Sequence, residues 1–171
     1  MLKLIMDRTT LERLGFREFH TLLTMDPMSP PLSYGAYVVL RPSSDEPRFL
    51  MESRGGRFKG QDRTVRPADA LRRSWVPHTP VLYIGGAGMK DGQSTHLRGR
   101  IDSYRQYGLG LPKSHAGGCR IWQLADCGEL LITWKETPGI PGSVLERRLR
   151  KVFADDHDGA RPFANGPLRR K

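Results

Sequence analysis

Two six-residue runs stand out against a largely polar chain: Gly35-Ala36-Tyr37-Val38-Val39-Leu40 and Val81-Leu82-Tyr83-Ile84-Gly85-Gly86. Each sets a tyrosine among β-branched and apolar neighbours, the pattern of a buried or half-buried strand. Elsewhere the spacing is helical. Over residues 9–24, Leu11, Leu14, Phe16, Phe19, Leu22 and Leu23 fall mostly on one face, which predicts a helix with Thr9 or Thr10 as N-cap. Asp26-Pro27-Met28-Ser29-Pro30-Pro31 ends it. After Leu40, a turn through Pro42 and Pro47 leads to a short apolar run at Phe49-Leu50-Met51. A helix from Pro67 to about Ser74 follows, with proline at its tolerated first position. Ser94 or Thr95 is placed to cap a helix ending at Gly108, with Leu97 and Ile101 facing the core. Cys119 to Leu124 and Leu130 to Trp134 read as a hairpin, and Pro138 to Gly142 breaks the chain before a last helix at about Val144 to Ala154. The pattern predicts an α+β fold, a small, largely antiparallel β-sheet flanked by helices, with an N-terminal helix and an elaborated connection between the two tyrosine strands.

Length changes this picture little: 171 residues suit one domain with a proper core. Charge changes it more. Lys and Arg total 28 against 18 Asp and Glu, a formal charge of +10. Arginine dominates, and its planar fork matches phosphate oxygens. The balance points to a polyanion, with an Arg-rich composition of no functional meaning as the alternative. No apolar stretch approaches the ~18–20 residues that span a bilayer, so no membrane role is expected. Met1 to Met6 is broken at once by Asp7-Arg8 and lacks the length and cleavage site of a signal peptide, so a cytoplasmic location is expected. Cys119 and Cys127 are too few for a zinc site and are expected as reduced thiols.

Gly35-Ala36-Tyr37, Tyr83-Ile84-Gly85, the basic segment from Leu97 to Arg105, Leu145-Glu146 and Pro162-Phe163-Ala164-Asn165 occur in an order that resembles the GIY-YIG nuclease superfamily. The likeness covers roughly residues 34–166. It implies that the two tyrosine strands pair as neighbours, that residues 41–79 elaborate their connection, that residues 1–33 form a helical extension packed on the core, and that 167–171 are a basic tail. It also implies a divalent-metal-dependent endonuclease acting on DNA, with RNA left open. Hydrolysis would be one-step on a single Mg²⁺ or Mn²⁺. No helix-turn-helix, zinc finger or zipper supplies sequence readout. Specificity would then come from residues 41–79, the N-terminal helix, a homodimer or a partner protein.

The resemblance carries over to particular residues. Tyr83 matches the general base and Tyr37 a group that positions water or phosphate. A free phenol titrates near ~10, about three units too high for a base at neutral pH, so roughly 4 kcal/mol must come from nearby positive charge. The bland reading of each tyrosine is strand packing with the hydroxyl at the rim. Arg100 matches the phosphate-binding helix arginine and Tyr104, one turn on, an additional active-site tyrosine, while Arg98 and Arg105 should point elsewhere. Glu146 matches the single metal carboxylate, although Ser143-Val144-Leu145-Glu146 also reads as a capping box. Asn165 matches a C-terminal asparagine that orients phosphate or the ligand shell, with a turn beside Gly166 as the alternative.

Two positions depart from the family. Ala36 replaces the usual Ile, and Gly86 stands where several members carry Lys, with Arg57, Lys59 or Lys90 as substitutes. His115 is a loop histidine of open role. Gly55-Gly56-Arg57-Phe58-Lys59-Gly60 either approaches a phosphate or is a polar loop. Beside the nuclease reading stand a non-catalytic nucleic-acid-binding protein that keeps the fold, and an interaction domain whose basicity is incidental.

Overall fold

A computed structural model describes residues 6–90, 92–113 and 118–167, except the side chain of Lys90. Its centre is a four-stranded antiparallel sheet of β1 (Arg17–Thr21), β2 (Gly35–Leu40), β5 (Val81–Ala87) and β8 (Leu131–Glu136), in the order β1-β8-β2-β5. Two short hairpins supply the remaining strands, β3 (Arg57–Phe58) with β4 (Gln61–Asp62) and β6 (Met89–Lys90) with β7 (Gln93–Ser94). The helices are α1 (Arg8–Arg13), α2 (Asp69–Ser74), α3 (Leu97–Gly108) and α4 (Gly142–Asp156). Among the described residues no helix is long and apolar enough to cross a membrane.

The tyrosine strands form as their composition requires, and they are antiparallel neighbours with Tyr37 opposite Gly85 and Val39 opposite Tyr83. Alternation sends their side chains to two faces. Tyr37, Val39 and Tyr83 join Leu97, Ile101 and Tyr104 of α3 and Trp122 in one core cluster. Ala36, Val38 and Ile84 join Leu149 and Phe153 of α4 in the other. Burying each large side chain contributes about 1.5–3 kcal/mol, so α3 and α4 clamp the sheet from opposite sides.

Three local expectations fail for tertiary reasons. The helix expected over 9–24 stops at Arg13. Asp7, not Thr9 or Thr10, caps it by accepting the Thr10 amide at 2.8 Å, and Gly15 leaves at φ +88°. Residues 17–21 then extend and pair with β8, His20 opposite Ile132. Phe16, Phe19 and Leu22 lie three apart, a spacing that a bulged edge strand can also satisfy, and the available partner strand decides. Cys119–Gln123 forms a 3-10 helix rather than half of a hairpin, following Gly118 at φ +73° and burying Ile121 and Trp122. Its Gln123 side chain bonds the backbone of Leu50 and Val65, tying the connection between β2 and β5 to the core. Neither Ser94 nor Thr95 caps α3. The Leu97 and Arg98 amides donate instead to the carbonyls of Ser33 and Pro31, and Thr95 Oγ1 donates to Gly88. Cys119 and Cys127 are free thiols.

Candidate active site

Three glycines assemble the site. An added Cβ at Gly85 would lie 2.4 Å from Tyr37 Cζ and 2.5 Å from its hydroxyl, so the Tyr37 ring crosses the strand only because Gly85 is bare. At Gly142 the same atom would lie 1.7 Å from the Gly35 carbonyl oxygen, so only glycine lets the start of α4 press against β2. At Gly86 it would lie 2.7 Å from Glu146 Oε2 and 3.0 Å from Ser143 N. Glu146 therefore reaches the edge strand β5 from one face of the sheet while the tyrosines reach it from the other.

The Tyr37 and Tyr83 hydroxyls are hydrogen-bonded, with ring centroids 6.0 Å apart. Either hydroxyl is able to donate in this pair. Tyr37 has no exposed surface, whereas Tyr83 keeps 7 %. Tyr37 therefore presents no surface to anything arriving from solvent. Burial holds the Tyr83 phenol above its ordinary value, and Glu146 adds to that rise. Arg100, the Tyr37 bond and Arg150 oppose it. Burial likewise pushes Tyr37 well up, with Arg100 again opposing.

Arg100 is half-buried, and its Nε is buried with no hydrogen-bond partner among the described residues. Its neighbours on the helix are committed elsewhere, as expected. Arg98 donates to the Pro30 carbonyl at 2.8 Å, and Arg105 pairs with Asp102. The capping-box reading of Glu146 is excluded, because α4 begins at Gly142 behind Pro141 and has no side-chain cap. Glu146 Oε1 instead accepts from Arg150 Nη1 at 2.9 Å.

Two of the expected residues turn inward. The Tyr104 hydroxyl donates to the Gly118 carbonyl at 2.7 Å, and its fully buried ring packs against Tyr37, Tyr83 and Trp122. Asn165 closes the turn expected beside Gly166, its backbone amide donating to the Pro162 carbonyl at 2.9 Å, and its side-chain amide faces β5 rather than solvent. Its Nδ2 donates to the Ile84 carbonyl and its Oδ1 accepts the Ile84 amide, both at 2.7 Å. Together with the Ala164 amide on Leu82, this closes the outer edge of β5 next to Tyr83. By strand alternation the next outward-facing backbone groups are those of Gly86, beside Glu146.

Arg150 is the member that sequence reasoning missed. It bridges Glu146 and the Asn165 carbonyl, the latter at 3.0 Å, and its charge reaches Tyr83. Its spacing of four residues from Glu146 is the signal that was available. Arg57 and Lys59 are not its equivalents. They sit on the β3–β4 hairpin, Arg57 bonded to the Gly60 carbonyl and Lys59 over Phe58. Gly55 and Gly56 make room for Tyr107 and for the Leu111 carbonyl, a packing reason for their identity. His115 and the Lys90 side chain lie outside what is described.

No cluster of three or more His, Cys, Asp or Glu able to hold a metal occurs among the described residues. No protein-family model, curated protein or solved structure matches the chain.

Proposed function

We propose that this chain is a GIY-YIG-type endonuclease that hydrolyses phosphodiester bonds in DNA, with Mg²⁺ or Mn²⁺ held at Glu146. The observation that carries the reading is the Arg100 Nε, a buried donor without an acceptor among the described residues, in a side chain whose charge bears on both Tyr37 and Tyr83. Leaving such a donor unpaired costs about 1–3 kcal/mol, and a phosphate oxygen supplies the acceptor it lacks.

Glu146 fits the cation as a lone hard-oxygen donor. Oε1 is shared with Arg150 and Oε2 lies over Gly86. Mg²⁺ keeps most of its shell as water and phosphate oxygens, so it needs no protein cage. When bound, it would offset negative charge on the phosphate and the departing oxygen. The remaining roles belong to the chain. Arg100 grips the phosphate and neutralises the charge that grows on it in the transition state. Tyr83, which keeps 7 % exposure where Tyr37 keeps none, orients the attacking water and takes its proton. Tyr37 fixes the Tyr83 ring through the bond between their hydroxyls, and Arg150 holds Glu146 in place. Positive charge that offsets Glu146 removes the second-largest cause of the raised Tyr83 pKa and moves the phenol toward a usable base.

That raised pKa also favours a second reading, a nucleic-acid-binding protein that keeps the fold without cutting. Supercoiled plasmid separates the two. The protein is expected to nick it with Mg²⁺ or Mn²⁺, and EDTA is expected to abolish nicking. Glu146→Gln should lose cutting, keep DNA binding and melt within about 1 kcal/mol of wild type, because the pair it breaks is partly exposed. Salt-dependent binding without cleavage of DNA or RNA in either metal would establish the second reading.

A further inference from the structure

The outer face of α4 carries a second feature that the proposed chemistry does not use. Ser143, Glu146, Arg147, Arg150, Lys151 and Ala154 recur at helical spacing along it, and Gly159 and Arg161 close the far side, enclosing a groove of about 540 Å³. Among the described residues Glu146 is the groove's only acidic lining residue, and it is already offset by Arg150. Lys151 is tied to Asp155 in an exposed pair at 2.7 Å. Arg147 and Arg161 are exposed and make no hydrogen bond or ion pair among the described residues. An added Cβ at Gly166 would lie 3.3 Å from Arg161 Cδ, so the Arg161 stem rests on that glycine. Past Gly159 and Arg161 the surface continues into a second depression of about 230 Å³ that Arg120 also lines.

Physics makes this face costly without an anion. Arg147 and Lys151 stand one turn apart on the same face, a like-charge spacing that weakens a helix by a few tenths of a kcal/mol. A polyanion laid along the helix reverses that sign. From Ser143 to Ala154 the helix rises roughly 16 Å, the axial rise of about five nucleotides of one strand. Among the described residues the groove has no aromatic ring to stack a base and no side-chain amide to read an edge. Its arginines offer forked donors that suit phosphate.

We propose that this groove carries the phosphodiester backbone of one nucleic-acid strand to one side of Glu146, independent of base sequence. The proposal rests on the nuclease reading only in taking Glu146 as the end at which the track meets the cutting site.

The test is binding, read separately from cleavage. Fluorescence anisotropy with single-stranded and duplex oligonucleotides of several sequences is titrated with salt, for wild type and for the double variant Arg147→Ala/Arg161→Ala. A Lys113→Ala/Lys135→Ala protein makes the same charge change outside the groove, outside residues 41–79 and outside the N-terminal helix. The groove variant is expected to reduce the slope of log K against log salt by about 2, roughly equally for every sequence. The control is expected to keep the wild-type slope, and thermal melts should show all three proteins folded. Wild type should also lose affinity when the oligonucleotide falls below about five nucleotides. An unchanged slope in the groove variant, an equal loss in the control, or binding to phosphatidylserine vesicles but not to oligonucleotides would overturn the proposal. Plasmid cleavage read beside binding separates the two ideas. If wild type cuts nothing while the groove variant alone loses its slope, the nuclease reading falls and the track stands. If wild type cuts and the groove variant binds and cuts as well as wild type, the track falls and the nuclease reading stands.

Discussion

At the scale of single residues, the glycines of β5 are as decisive as the tyrosines. Gly85 and Gly86 are adjacent, yet an added methyl meets different things at each. At Gly85 it strikes the rigid, fully buried Tyr37 ring at 2.4 Å. At Gly86 its shortest contact is the end of the Glu146 side chain at 2.7 Å, which can swing aside, with backbone of α4 at 3.0 Å behind it. Gly85→Ala should therefore cost about 1–3 kcal/mol in urea unfolding, as overpacked cores do. Gly86→Ala should cost less than Gly85→Ala but lose plasmid nicking, because it displaces the carboxylate. Equal stability losses in the two variants would contradict this division of labour.

At the scale of elements, the site hangs on an edge strand, and edges are where pairing slips. The segment from Ala164 to Asn165 prevents that by bonding Leu82 and Ile84 from outside, with the Asn165 amide completing both of Ile84's backbone bonds. Arg150 adds a third tie by holding the Asn165 carbonyl and Glu146 together. Asn165→Ala leaves the Ile84 amide and carbonyl without those partners and should cost about 1–3 kcal/mol. Hydrogen exchange at the Ile84 amide should quicken more than exchange at the Val38 amide in the strand interior. Unchanged protection at Ile84 would show that the clamp is not what holds the edge.

At the scale of the whole molecule, phenols packed in one layer link stability to pH. Burial raises the pKa values of Tyr37, Tyr83, Tyr104 and Tyr107 above their ordinary value. Their unfolded counterparts ionise near ~10, so the fold keeps its full contribution below that pH. Above it the unfolded chain releases protons that the folded chain retains, and each phenol removes about 1.4 kcal/mol of stability per pH unit. Base titration should show tyrosinate absorbance rising together with loss of near-ultraviolet circular dichroism, starting just above pH ~10. Stepwise ionisation of the buried phenols in a still-folded protein would refute the linkage.

The sequence by itself determined the parts whose cause is local. The strands at 35–40 and 81–87 follow from short runs of apolar and β-branched residues, and α3 and α4 from their helical spacing. The same motifs led to the expectation of Tyr37, Tyr83, Arg100 and Glu146 as site residues, and the charges of Arg100 and Glu146 both bear on the two phenols. Tertiary structure decided whatever depends on a distant partner. Residues 17–21 became a strand because β8, more than a hundred residues away, offered its backbone. Tyr104 turned to Gly118 and Asn165 to Ile84 because the packed fold brings those carbonyls to 2.7 Å. Arg150 joined the site because the end of the chain returned its Asn165 carbonyl to α4. A side chain's type fixes which bonds it is able to make, and only the packed fold fixes which partner is within 3 Å of it.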